Sequence, residues 1–336
     1  MLDSLSVDMA DVGEFFADLL RPRWVAGLNK VKTPTVLGVE SWLKSGTYSW
    51  LPSPAGTVKL DVSIGIDELA EAMASEVARF SCACYESLLD AVPRGHADRA
   101  LGWALVRYYY ATFYAAHALL RISGRSVTMI SPQTASTLNV VGGQYLGMSP
   151  NISTGLHLVQ VDSSSHPHVL MSKIGGSNGG SHEEMWKLFL ALVVELEGQL
   201  ILTQGQSQEA LYAVQVLTNL RAQLCRRGKS NGAWLSSIRN DLNYRHDHGV
   251  WYPYKVSSKV AIALTGKMQR WIPNAADGYE IGKVTDDLGC FVDSCNVMAR
   301  LLTAALKDVS GRAENSRSSF VDRQPFKLLR LRSITV

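Results

Sequence analysis

The chain has 336 residues, 46% of them hydrophobic and 19% charged, which supplies a core for one large domain or two modest ones and excludes a disordered composition. The formal net charge of +3 permits a nucleic-acid partner without demanding one, so any basic surface has to come from local clustering. Five cysteines stand at spacings that build no disulfide framework, zinc knuckle or CxxC pair, and are read as buried thiols in a reducing compartment. The start MLDSLSVDMADVGEFF is acidic and lacks the marks of a signal peptide. The most apolar stretch, Met185 to Leu202, is broken by Lys187, Glu195 and Glu197. The expectation is a cytoplasmic protein that does not enter a membrane.

In chain order, residues 1–65 read as an irregular and β-containing region, with Val58-Lys-Leu-Asp-Val62 as a short alternating strand and Pro52, Pro54 and Gly56 as turn formers. A helix is predicted from Ile66 to about Val92, opened by Asp67 and Glu68 and broken at Pro93-Arg94-Gly95. A second runs from about Ala97 to Ile122 and stops at Ser123-Gly124; it is apolar or aromatic on nearly every face and is the predicted central helix. The helical rhythm breaks over 125–182, taken as an insertion. Within it, Thr154–Val161 and His168–Ile174 are predicted to pair across Ser163-Ser164-Ser165, and Gly175–Ser181 is a flexible loop. Helical periodicity returns over 183–202, 208–226 and 233–247, again from about Ser257, and over 286–309. The three parts are thus 1–65, a helical domain over 66–310 and a basic tail over 311–336. The tail carries six Lys/Arg against Glu314 and Asp322, and is either disordered or an interaction arm.

Several motifs resolve into structural features. The Gly/Ser loop at 175–181 lacks the GK[ST] ending of a phosphate loop, with His182-Glu183 in its place. His182-Glu-Glu-Met-Trp186 starts like HExxH, but Trp186 occupies the second histidine position; Ser181 and Glu184 as a capping box account for the same residues. His166 and His168 have no metal-ligating partners at standard spacing, and His117 is expected in the core with a satisfied hydrogen bond. Neither a metal nor a cofactor is expected.

The informative stretch is Arg239-Asn240-Asp-Leu-Asn243-Tyr-Arg245-His246. On a continuous α-helix seven residues make nearly two turns, so Arg239, Asn243 and His246 would line one polar stripe. Between Arg221 and His246 stand Arg221, Arg226, Arg227, Lys229, Arg239 and Arg245 against Asp241, a local excess suited to phosphate backbones. An imidazole can move the proton of a ribose 2′-OH or of a leaving 5′-oxygen, and a guanidinium can stabilise charge growing on the phosphate. One Arg and one His do not make a full acid and base pair, whereas two copies meeting symmetrically would.

The spacing Arg239-Asn240…His246, with the aromatic, Ala-rich helix around Tyr108–Leu120, resembles the HEPN superfamily over about half the chain. The resemblance implies a mainly α, HEPN-like helical bundle and a homodimer. It further implies metal-independent endoribonuclease activity in toxin–antitoxin or anti-phage defence. Carried over by position, Arg239 and His246 would be catalytic with Asn240 as polar companion; Asn243 is added from helix geometry. Arg221, Arg226, Arg227, Lys229 and Arg245 would bind RNA, and an antitoxin or defence protein would be a further partner. The alternative is a non-catalytic helical subunit that holds nucleic acid or a protein.

Overall fold

The structure, a computed structural model, describes residues 10–54, 56–91, 99–163, 165–175, 180–204, 207–272 and 279–336. The predicted break at Pro93-Arg94-Gly95, Ser164 of the hairpin turn and residues 176–179 of the Gly/Ser loop lie outside the described residues, as does most of the acidic start. The fold is mainly α with one five-stranded antiparallel sheet.

At its centre lies α4 (Gly102–Ile122), packed against α3 (Ile66–Leu89), α6 (Ser181–Gln204) and α10 (Asp287–Gly311). Its apolar composition predicted this position, since a helix without a polar face has to be surrounded. Tyr108 shows how its polar atoms are satisfied there: the buried hydroxyl bonds Asn296 Oδ1 at 2.7 Å and the Met268 carbonyl. The helices α7 (Gln208–Leu224) and α9 (Ser258–Lys267) fall where periodicity places them.

Two helices appear in the region expected to be irregular. α1 (Ala10–Leu20) buries Val12, Phe16, Leu19 and Leu20 against α6, α7 and α10, and α2 (Val39–Ser45) buries Val39, Trp42 and Leu43. The spacing of Val12, Phe16 and Leu19 carries the helical period, though over only three turns. A third unexpected helix, α5 (Pro132–Leu146), lies in the supposed insertion. Ser131 caps it by accepting from Thr134 N at 3.3 Å, Pro132 opens it and Gly147 closes it in a left-handed conformation. Its β-branched, Gly-rich interior conceals the period, and Gly142 is required because a Cβ there would press on Trp50 and Pro150.

The sheet order is β1 (Ser49–Leu51), β2 (Thr57–Asp61), β5 (His168–Lys173), β4 (Gly155–Asp162), β3 (Arg125–Ile130). The β4–β5 hairpin was expected; its union with the N-terminal strands was not. Register explains it: Trp50, Leu60, Val169 and Val161 form one cross-strand row, and Val58, Met171 and Val159 the next, all buried on one face.

Helices and sheet are joined by a buried ion pair. Arg121 on α4 is 2% exposed and pairs with Glu76 on α3, donating also to the Val127 carbonyl of β3 at 3.1 Å. Glu76 in turn accepts from Val39 N at the start of α2 and from Ser126 Oγ, each at 3.1 Å. His117 Nδ1 accepts from the same guanidinium at 3.0 Å, and burial holds this histidine well below its ordinary pKa. It is therefore the neutral, satisfied core histidine expected.

The chain beyond Gly311 is neither disordered nor a free arm. α11 (Phe320–Arg323) and α12 (Pro325–Leu331) bury Phe320, Val321, Phe326 and Leu329 against α3 and α10. Its cations misled because they lie on the outer face, where Arg330 pairs with Asp322 at 2.8 Å. No helix among the described residues is long and apolar enough to cross a membrane.

Candidate nucleic-acid interface

α8 (Trp234–Asn240) carries the motif, anchored by buried Trp234, Leu235 and Ile238. It does not continue to 247 as an α-helix. Residues Asp241–Arg245 widen into a π turn and His246 ends it in a left-handed conformation, φ 55°. The turn is held from outside: Trp251 Nε1 donates to the Leu242 carbonyl at 2.7 Å. Trp251 reaches that position because residue 102 is glycine, since a Cβ there would overlap the indole.

The wider turn changes what the seven-residue interval means, because the one-stripe argument holds only for an unbroken α-helix. Arg239 turns towards α4, its guanidinium 5.3 Å from the Tyr109 ring centroid. His246 turns the other way along the chain, with Nε2 3.4 Å from the Pro253 carbonyl. Asn243 is half-buried between them, and Asn240 is exposed.

The basic residues also separate. Arg221 pairs with Glu197 at 2.8 Å; Arg226 pairs with Asp287 at 3.1 Å and lies 5.7 Å from the Trp234 ring. Counting charges along 221–246 overlooked Glu197 and Asp287, which approach from other helices. Arg227, Lys229 and Arg245 do converge, lining an open cleft of about 280 Å³ with Trp234, Ser237, Asn240 and Asp241. Arg227 pairs with Asp287 and Arg245 with Asp241, yet their side chains stay 61% and 70% exposed. Lys229 is exposed as well. Asp241 is the one acid in this lining, so the cleft presents three cations beside an amide and a hydroxyl.

On the opposite face of α8 stands a group that motif reading missed. Tyr109 Oη accepts from Trp186 Nε1 at 3.2 Å and lies 2.7 Å from His182 Nδ1. His182 is half-buried, stacked on Phe113 at 4.1 Å between ring centroids. Burial, then the charge of Arg239, lowers its pKa. Tyr109 is pushed up by burial, with Trp186, Ser236 and Arg239 opposing the shift. His182 and Trp186 at i and i+4 were the visible signal, since that spacing puts both on one face of α6. The HExxH comparison consumed them as a failed metal motif. The capping box is also replaced, because Gly180 supplies the first helical acceptor, to Glu184 N.

Among the described residues no group of three or more His, Cys, Asp or Glu side chains is arranged to hold a metal ion. No family model, curated protein or solved structure matches the chain.

Proposed function

We propose that the chain binds single-stranded RNA in the cleft of Arg227, Lys229, Asn240 and Arg245 and cleaves it as a HEPN-type, metal-independent endoribonuclease. Supporting the reading above all is the convergence of three largely exposed cations on one cleft beside the motif helix. The cleft would hold the phosphate backbone. Arg239 would neutralise the reacting phosphate, and His246, at the end of the π turn, would move protons at the ribose or the leaving oxygen. A homodimer would supply the second acid or base, and a toxin or anti-phage role follows from the HEPN resemblance. Wild type, Arg239→Ala and His246→Ala are compared on total RNA in EDTA and in a growth assay. Loss of cleavage and of growth arrest in both variants is expected; undiminished cleavage in both rejects the assignment.

A second reading, an RNA-binding subunit without catalysis, draws on the divergence of Arg239 and His246 within one chain. It predicts RNA affinity that depends on Arg227 and Arg245 with no cleavage by wild type.

A further inference from the structure

Arg239 has no acid partner among the described residues. Of the arginines from 221 to 245, the other four each pair with a carboxylate among the described residues, whereas Arg239 makes no ion pair and its buried Nε bonds nothing. The guanidinium lies over the Tyr109 ring, and its orphaned buried Nε leaves a donor that an anion would complete. The acids in the first turn of α6 do not serve: Glu183 is engaged by Asn231 Nδ2, and no ion pair joins Glu183 or Glu184 to Arg239.

The neighbouring histidine offers a donor to the same anion. Trp Nε1 can only donate, so Tyr109 Oη accepts from Trp186 and keeps its own proton available for His182 Nδ1, 2.7 Å away. With that proton donated, His182 Nδ1 would be the acceptor of a neutral imidazole and the ring proton would reside on Nε2. That atom has no partner among the described residues. The relay Trp186 → Tyr109 → His182 would thus leave an N–H for something outside it, and His182 and Arg239 flank the same ring, their separations from the Tyr109 centroid being 5.8 and 5.3 Å.

We infer that Arg239 and His182 Nε2–H form a phosphate subsite for single-stranded RNA, with Tyr109 and Trp186 as positioning residues that set the imidazole's tautomer. This rests on the RNA reading for the ligand's identity; the donor arrangement itself requires only a phosphate. The subsite lies on the face of α8 opposite the cationic cleft, so a strand held in the cleft would cross the helix to deliver a phosphate to Arg239.

Two measurements separate the inference from the reading beneath it. In long-range ¹H–¹⁵N spectra of histidine side chains, His182 of the wild type shows the Nε2–H tautomer, and its Nε2 resonance moves on titration with inorganic phosphate. The movement is lost in Arg239→Ala, and the tautomer preference relaxes in Tyr109→Phe. Separately, anisotropy of an uncleavable 2′-O-methyl RNA 12-mer shows His182→Ala binding about tenfold more weakly, the scale of one charge-assisted hydrogen bond. An Nδ1–H tautomer, or no phosphate response together with wild-type RNA affinity in His182→Ala, overturns the subsite and leaves the RNA reading standing. A phosphate response without RNA binding upholds the subsite's donors and rejects RNA as the ligand.

Discussion

Neutralising the cationic cleft should flatten the salt dependence of RNA binding by a calculable amount. Each phosphate neutralised on a single strand releases condensed counterions and contributes about −0.7 to the slope of log K against log salt. Three cations line the cleft, so the cleft contributes a slope of about −2, a roughly 20-fold loss of affinity between about 50 and 200 mM salt, to which Arg239 adds about −0.7. The ion pairs of Arg227 and Arg245 do not cancel this. Both arginines are mostly exposed while Asp287 and Asp241 are not, so a phosphate can approach the open edge of each guanidinium without displacing its carboxylate. Arg245→Gln should bring the cleft's share of the slope to about −1.4 and its salt change to about sevenfold; the triple Arg227→Gln, Lys229→Gln, Arg245→Gln variant should keep only the roughly −0.7 of Arg239. The assay is anisotropy of a labelled 2′-O-methyl RNA 12-mer over a salt series, with Arg330→Gln on α12 as a charge-matched control. A wild-type slope shallower than −0.7, or a triple variant with the wild-type slope, refutes the cleft as the strand's seat.

Glu76→Ala strands a buried guanidinium and should cost about 3–5 kcal/mol. For 336 residues that lowers the melting temperature by about 4–7 °C, which calorimetry would read, and a fall below about 1 °C contradicts the network's role. Phe320→Ala should cost about 3–5 kcal/mol in urea unfolding, because the C-terminal helices belong to the core; wild-type stability would show a dispensable tail. His117, His157 and His182 all have pKa values lowered chiefly by burial from 6.5, so the unfolded state binds more protons as pH falls. Their stabilising contribution is fully present above about pH 6.5 and is lost below it, at up to about 1.4 kcal/mol per pH unit for each histidine. Urea unfolding at pH 7.5 and 5.5 should show the loss, with a shallower dependence in His117→Gln; equal stability at both values excludes it.

Legibility followed the length of the signal. The long periodic segments around Tyr108 and Phe291 and the alternating hairpin strands were readable because many residues repeat one instruction. α1, α2 and α5 are short, or hide their period behind Gly142, Gly143 and β-branched residues, so caps such as Ser131-Pro132 were the better guide. The candidate site was readable as residue types and not as geometry. Arg227, Lys229, Asn240 and Arg245 do share one cleft, whereas the alignment of Arg239 with His246 assumed an α-helix that the chain does not form. Neither the acids that pair Arg221 and Arg226 nor the Tyr109–His182 contact can be seen locally, since each joins residues remote in sequence.

The π turn decides how the two faces of α8 relate, and Gly102 controls it from another helix. Trp251 holds the Leu242 carbonyl only while its indole lies against α4 at a position without a Cβ. Gly102→Ala forces that ring away, at about 1–3 kcal/mol for the overpacking, and leaves the carbonyl without its donor. Segment 241–245 is then free to rewind, which shifts Arg245 relative to Arg227 although neither residue has changed. RNA affinity in the folded variant should therefore fall several-fold, with circular dichroism confirming that the fold persists. Wild-type affinity alongside the expected loss of stability would show that the cleft forms independently of the π turn, and would detach Trp251 from the site.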